Sequence, residues 1–285
     1  MAVVEDAALG PGQEPEPRQG EPGISEVPAR APRAVGDGFF WLITAGVGFI
    51  VGGILAQAGV LIWAAGTGNV TSARLAHLES LASPPEGLML CNLVGLWIGL
   101  LCAAGLASRL RGTRRFARDM GLSIKLWPDI PAGIVAGAAL QFVFIPLLYA
   151  PLERYIPHFR RQFSRPAERI AGASQHGTAL LLLFLFVAVL APIVEEIFFR
   201  GLLMRSLVRL SSHTGRFASS AVPIVGSAVL FGLAHGEPLQ LLGLVIVGLA
   251  LAAMALRTGR LGPGIITHMT FNAIAVVVTV HLYAG

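Results

Sequence analysis

The chain has 285 residues, of which 54% are hydrophobic and only 13% are charged, and its mean hydropathy is +0.70. Soluble proteins carry about 25% charged residues, so this composition excludes an ordinary water-soluble globule. The net charge is +5, but the basic residues lie mainly between apolar runs, and no zinc-finger spacing or basic stripe indicates a nucleic-acid partner.

The first 38 residues differ in composition from the rest of the chain. They are rich in proline, glycine, alanine and acidic residues, as in the run Glu14 to Pro17. Such a segment lacks the apolar surface needed to offset the entropy of ordering, so residues 1–38 are predicted to form a disordered cytoplasmic tail. The tail does not have the short, basic start of a signal peptide, and the apolar run behind it is expected to be retained as a span.

The apolar residues that follow fall into long runs, and about 20 apolar residues are what an α-helix needs to cross roughly 30 Å of hydrocarbon. We therefore predict an all-α, polytopic transmembrane helix bundle of about seven spans. The predicted spans cover residues 39–66, 87–107, 130–150, 178–204, 218–236, 238–257 and 262–283. Residues 39–114 form the N-terminal spans, and residues 115–285 form the region that carries the polar residues discussed below.

The distribution of lysine and arginine predicts a multi-pass protein of the cell membrane with its N-terminus in the cytoplasm. Of the 21 basic residues, fifteen then lie on the cytoplasmic side and six outside, as the positive-inside rule requires. The connection 151–177 does not follow this rule, because it holds five arginines and would be external. We interpret it as an amphipathic segment at the membrane interface.

Two adjacent glutamates, Glu195 and Glu196, lie in the fourth span. A charge at bilayer depth costs at least about 2.5 kcal/mol, so such residues usually face a partner or a water-filled cavity and mark a functional site. Glu196 and Arg200 are at i, i+4, which predicts a structural ion pair on one helix face. Glu195 points about 100° away from Glu196 and needs a partner from another helix.

Two further spans carry imidazoles. The fifth span ends in Phe231-Gly-Leu-Ala-His235, and a turn near Gly215 would bring His235 to the depth of Glu195. The last span carries His268 and Asn272 at i, i+4 on one face. A carboxylate and an imidazole can activate a water, while an imidazole and an amide can donate to a developing oxyanion, and amide hydrolysis needs these groups.

The three strings Glu195-Glu196-x-x-x-Arg200, Phe231-x-x-x-His235 and His268-x-x-x-Asn272, in this order on separate spans, resemble the CPBP family of CAAX prenyl endopeptidases and bacteriocin-processing peptidases. The resemblance covers roughly residues 115–283. It implies an intramembrane glutamic endopeptidase that cuts a peptide or protein substrate at or within the lipid bilayer, without metal or other cofactor. By similarity, Glu195 is the general base, His235 its partner on the catalytic water, and His268 with Asn272 the oxyanion stabilisers, while Glu196, Arg200 and Phe231 shape the site.

Other functions are compatible with the same buried polar cluster. A non-catalytic immunity or scaffold protein could use it to bind a partner, and a small transporter could use it as a proton relay. A serine protease is disfavoured because no Gly-x-Ser-x-Gly elbow is present. A metalloprotease is disfavoured because His-Glu-x-x-His is absent, although Glu195, His235 and His268 could in principle bind zinc.

Overall fold

The computed structural model describes residues 31–68, 71, 73–74, 77, 85–159, 162–163, 165 and 177–283. In this part of the chain every regular element is a helix, as predicted. The helices are α1 (Ala31–Gly66), α2 (Glu86–Arg111), α3 (Phe116–Met120), α4 (Leu126–Tyr155), α5 (Gly177–Ser211), α6 (Ala218–Ala234), α7 (Leu241–Thr258) and α8 (Gly262–Tyr283). Six of them, α1, α2, α4, α5, α7 and α8, are long and apolar enough to cross a membrane, and α6 is a shorter apolar helix. The all-α polytopic bundle is therefore confirmed.

The first helix begins earlier than predicted. Residues 31–38, assigned above to a disordered tail, already belong to α1, while residues 1–30 lie outside the described part of the chain. Two features hold the start of α1 against the bundle. Asp37 pairs with Arg111 at 3.3 Å, and Gly38 packs so closely against α5 that a Cβ added to it would lie 3.0 Å from Arg209 Cβ. Composition alone missed this start because it does not register the close approach of α5 to Gly38.

Small residues let the helices approach closely. Gly48 and Gly52 of α1 face α2, where a Cβ on Gly52 would lie 2.8 Å from the Leu96 carbonyl oxygen. On α2, a Cβ at Gly95 would lie 2.7 Å from Ala56 Cα. Gly133 of α4 packs in the same way against Ile266 of α8. Lipid provides no hydrophobic drive for helix association, so this tight backbone packing is a main source of bundle stability.

Helix α5 is a succession of α-helical and π-helical segments. The segments Phe184–Leu190 and Glu196–Met204 are π-helical, and α-helix Ala191–Glu195 lies between them. A π segment widens the helix and leaves some backbone carbonyls without their usual intrahelical partner, which occurs frequently at functional sites. Helix α4 contains a similar segment at Leu140–Phe144.

The turn between α7 and α8 is inserted into one end of the bundle. Arg260 forms a two-pronged ion pair with Asp129 of α4, with Nη2 and Oδ1 3.0 Å apart. Leu261 N donates to Gly121 O at 2.9 Å, and Gly262 N donates to Ser123 O at 3.2 Å. Because residues 261–265 are buried, α8 starts inside the bundle rather than at its edge.

The same end of the bundle contains a buried carboxylate, Asp119. Ser108 Oγ and Thr113 Oγ1 each donate to it at 2.6 Å, and Thr113 N donates at 3.0 Å. Burial raises the pKa of Asp119, but these hydrogen bonds outweigh burial and hold the pKa below its ordinary value of 3.8. Asp119 therefore stays charged at neutral pH and ties α3 to α2 and to the connection between them.

Part of the connection 151–177 packs back onto the bundle. Tyr149, Phe159 and Phe163 form an aromatic cluster with ring centroids 4.7 to 5.6 Å apart. Gly243 N donates to the Tyr149 hydroxyl at 2.8 Å, and Gln240 Nε2 donates to Phe163 O at 3.1 Å. Arg160, Arg161 and Arg169, on which the prediction of an interfacial segment partly rests, lie outside the described residues.

The glycine packing between α1 and α2 generates a testable prediction. Gly95→Ala should destabilise the protein by about 1–3 kcal/mol, because the added methyl meets the backbone of α1. Gly105→Ala on the same helix is the matched control, since a Cβ there meets nothing within 4 Å, and it should be neutral or stabilising. Thermal unfolding in detergent measures both, and equal effects of the two variants would contradict the packing argument.

Candidate functional site

The four residues predicted to be catalytic, Glu195, His235, His268 and Asn272, line one cavity of about 650 Å³. Its walls come from α1, α2, α5, α6, α7 and α8, together with the connection after α6. Most of the other lining side chains are aliphatic. The helix topology thus brings together polar groups that lie up to 77 residues apart in the sequence.

Glu195 and Glu196 face different surroundings. The Glu195 side chain is 21% exposed and faces the cavity, whereas the Glu196 side chain is fully buried. The difference follows from helix geometry, since consecutive residues point about 100° apart. Glu195 is therefore the carboxylate that a molecule in the cavity can reach.

Glu196 and Arg200 form the predicted ion pair. Arg200 Nη1 lies 2.6 Å from Glu196 Oε1, and both side chains are fully buried. Arg200 Nη2 also donates to Gly248 O of α7 at 3.2 Å, and the guanidinium carbon lies 4.5 Å from the Phe231 ring centroid. Since a guanidinium can satisfy several acceptors at once and stack on an aromatic face, Arg200 joins α5, α6 and α7.

His268 lies between the two glutamates. Its Nδ1 is 3.3 Å from Glu196 Oε1, and its Nε2 is 3.7 Å from Glu195 Oε2. The side chain is almost completely buried. The sequence predicts His235 as the partner of Glu195, and in the structure the imidazole within ion-pair distance of Glu195 is that of His268. Equal depth along α5 and α6 does not reveal this contact, because the start of α8 is buried beside Glu196.

His235 follows the last residue of α6 and is exposed. Its Nδ1 lies 2.8 Å from Phe231 O, one of the four carbonyls that a helix end leaves without an intrahelical partner. A carbonyl oxygen only accepts, so Nδ1 carries the hydrogen in this contact. Nε2 is then the nitrogen of the neutral ring that can accept a hydrogen bond.

Phe231 occupies the centre of the site and is fully buried. Its ring makes edge contacts with His235 and His268, with centroids 4.7 and 5.6 Å apart, and with Phe199 at 5.3 Å. With Arg200 over the same ring, Phe231 sets the spacing of both imidazoles. The sequence identified Phe231 as a site-shaping residue, and this geometry is compatible with that role.

Asn272 already makes one contact with the protein. Its Nδ2 donates to Val187 O at 2.9 Å, and Val187 lies in the π-helical segment Phe184–Leu190. One amide hydrogen therefore anchors α8 to α5. An asparagine amide has two N–H donors, so a second donor is left for a ligand in the cavity.

Several features of the cavity were not identified from the sequence. Gln57 of α1 and Asn92 of α2 also line it. A single amide in an apolar run gives no periodic or spacing signal, and neither residue belongs to one of the three motifs. Within the described ranges, no group of three or more His, Cys, Asp and Glu side chains is arranged as a metal-ligand set.

Comparison with known families supports the resemblance inferred from the motifs. Residues 177–274 match the family model described as "Type II CAAX prenyl endopeptidase Rce1-like". The match includes all seven motif residues and covers about a third of the chain, leaving α1 to α4 outside it. Neither a curated protein nor a solved structure gave a match to the chain.

The buried ion pair generates a second prediction. Arg200→Met should destabilise the protein by about 3–5 kcal/mol, because Glu196 would remain buried without a counter-charge. The double variant Glu196→Gln/Arg200→Met should be less destabilised than Arg200→Met, because it leaves no buried charge. Thermal unfolding in detergent measures the cycle.

The exposed pair of Arg111 and Asp37 is the matched control for this cycle. Arg111→Met should change stability by less than about 1 kcal/mol, since exposed ion pairs contribute little. If the destabilisation of Glu196→Gln/Arg200→Met equalled the sum of the destabilisations of Glu196→Gln and Arg200→Met, the coupling between Glu196 and Arg200 would be contradicted.

Proposed function

We propose that this chain is an intramembrane endopeptidase in which Glu195 and His235 activate a water. Residues 177–274 match the model of the Rce1-like type II CAAX prenyl endopeptidase family. One observation carries the proposal: the accessible carboxylate Glu195 shares a single cavity with two imidazoles and an amide. The family match supports a CAAX-type intramembrane protease in general. The assignment of the chemistry to these residues is our inference.

In the proposed reaction the Glu195 carboxylate holds a water and accepts its proton. His235 Nε2 accepts a hydrogen bond from the same water, because Nδ1 is engaged with Phe231 O. The water oxygen bonds to the carbonyl carbon of the substrate. When the C–N bond breaks, the proton held by Glu195 passes to the leaving nitrogen, and the site returns to its starting state.

The negative oxygen that forms during attack needs donors in a cavity with mostly aliphatic walls. The proposed donors are the second N–H of Asn272 and His268 Nε2, the latter in a ring that carries a hydrogen on both nitrogens, because Nδ1 faces the Glu196 carboxylate. A preorganised donor of this kind contributes about 3–4 kcal/mol to transition-state stabilisation. Glu196 supports the arrangement, because its Oε1 lies 3.3 Å from His268 Nδ1 and fixes the orientation of the ring.

The proposed mechanism uses no metal. The charge of Glu196 is balanced by Arg200 at 2.6 Å, so this carboxylate has a counter-charge supplied by the protein itself. The activated water is held by a carboxylate and an imidazole, which can supply the base without a Lewis acid. The substrate is a peptide or protein segment that reaches the cavity at or within the membrane.

Substitution of the proposed base is the direct test. Glu195→Gln should lower cleavage at least about 100-fold while leaving thermal stability near that of the wild type, because the amide keeps the shape but cannot accept the proton. His235→Ala should lower cleavage similarly. The assay uses fluorogenic peptides ending in Cys-aliphatic-aliphatic-X, with and without an S-prenyl group. Further substrate peptides are found by trapping them on Glu195→Gln in membranes and identifying them by mass spectrometry. These peptides are then added to the assay.

Glu86→Gln, a carboxylate at the start of α2 that does not line the cavity, is the matched control and should cleave like the wild type. Wild-type cleavage by purified Glu195→Gln would show that the base is wrongly assigned. If a metal chelator stopped cleavage, the metal-free mechanism would fail. A cellular phenotype that survives every change at Glu195 and His235 would instead favour the scaffold or immunity function.

We further propose that the end of the bundle holding Arg111, Asp119 and Arg260 faces the cytoplasm, in the cell membrane. Trp127 and Phe217 are 79% and 86% exposed and lie within two residues of Lys125 and Arg216 in sequence, as aromatic and basic residues do at a membrane interface. The test uses Cys91→Ala/Cys102→Ala chains carrying either Arg74→Cys or Arg114→Cys. A membrane-impermeant maleimide added to intact cells should label only Arg74→Cys, and the reverse pattern would overturn the orientation.

A further inference from the structure

Two neutral amides line the cavity from helices outside the family-matched segment. Gln57 belongs to α1 and Asn92 to α2, and both contribute to the wall of the cavity that contains Glu195. Within the described part of the chain neither side-chain amide has a hydrogen-bond partner. Polar groups in membrane spans usually form hydrogen bonds with a neighbouring helix. Because these two amides do not, their donors and acceptors are available to a ligand in the cavity.

The two amides are held in place by tight packing. A Cβ on Gly59 would collide with the Cys91 carbonyl oxygen, so α1 and α2 are in backbone contact within two residues of Gln57 and Asn92. Trp97 of α2 stacks on Phe186 of α5 with ring centroids 5.4 Å apart. Phe186 precedes Val187, whose carbonyl accepts from Asn272. The α1–α2 pair is thus fixed relative to the catalytic side of the cavity.

A helical substrate segment must locally unfold before a peptide bond inside such a cavity can be cut. Its N–H and C=O groups then lose their helical partners, and each unsatisfied group costs several kcal/mol in apolar surroundings. The neighbours of Gln57 and Asn92 in the cavity wall, such as Val60, Leu88 and Leu93, offer no hydrogen bonds. A side-chain amide offers both donors and an acceptor and matches a peptide group regardless of the substrate's side chains.

We propose that Gln57 and Asn92 bind the main chain of the substrate beside the scissile bond, so that the N-terminal helix pair forms part of the substrate-binding site. The inference rests on the proposed peptidase function. It assigns a substrate-binding role to residues that lie outside residues 177–274. The recognised chemistry is the peptide group itself rather than a particular side chain or lipid.

The test compares wild type with Gln57→Met and Asn92→Leu, exchanges that keep the side-chain size and remove the amide. KM for the fluorogenic peptides should rise about three- to tenfold for each variant with kcat nearly unchanged, since a net hydrogen bond contributes about 0.5–1.5 kcal/mol. Gln141→Met is the matched control, because Gln141 lies in a span but does not line the cavity. It should behave like the wild type.

Backbone-ester peptides make the test specific for the main chain. In each ester one N–H near the scissile bond, but not at it, is replaced by oxygen. At least one ester should bind wild type about three- to tenfold more weakly, and that penalty should vanish in Gln57→Met or Asn92→Leu. A merely structural role of the amides would leave the ester penalty unchanged in the variants and would overturn the inference.

Direct binding separates the two proposals. Dissociation constants measured on the Glu195→Gln background, in each amide variant, do not depend on catalysis. If the wild type does not cleave the peptides but binds them, and both amide exchanges weaken that binding, the peptidase proposal is overturned and the proposed amide site stands. Cleavage with unchanged KM in both amide variants would overturn the amide site alone. No binding of any peptide of the set to the full-length chain would overturn both.

Discussion

The buried ion pair between Glu196 and Arg200 is the interaction on which the site depends. Two charges removed from water are stabilised only if their geometry is good and their remaining polar atoms are satisfied. The pair meets that requirement in part: Arg200 contacts Gly248 O and the Phe231 ring, and Glu196 Oε1 contacts His268, whereas Glu196 Oε2 and Arg200 Nε have no hydrogen-bond partner among the described residues. Because each contact reaches a different helix, one ion pair fixes the relative positions of α5, α6, α7 and α8.

The π-helical segments of α5 turn this helix into a scaffold that other helices can bind. Asn272 donates to the carbonyl of Val187 in the first segment, and Ser227 Oγ donates to Phe199 O in the second at 3.1 Å. Both bonds are accepted by backbone carbonyls of π-helical segments, in which the intrahelical bonds run from i to i+5. Glu195 lies in the short α-helical segment between these two anchor points, so its position is set from both α6 and α8.

The spans and the motif residues could be predicted from sequence for different physical reasons. Apolar runs of about 20 residues have few alternatives to a spanning helix, and charges at bilayer depth are too costly to be incidental. The contact between Glu195 and His268 could not be predicted, because the register between α5 and α8 depends on the π segments and on the buried turn at Arg260. The start of α1 was missed because it rests on tertiary contacts of Asp37 and Gly38.

The division between the family-matched segment and the N-terminal spans has a physical consequence. In residues 177–274 the buried groups Glu196, Arg200 and His268 contact one another, so changing one leaves another buried without its partner. Gln57 and Asn92 make no such contact within the described residues. These two positions of α1 and α2 can therefore be exchanged without leaving a charge of the α5 and α8 cluster unpaired.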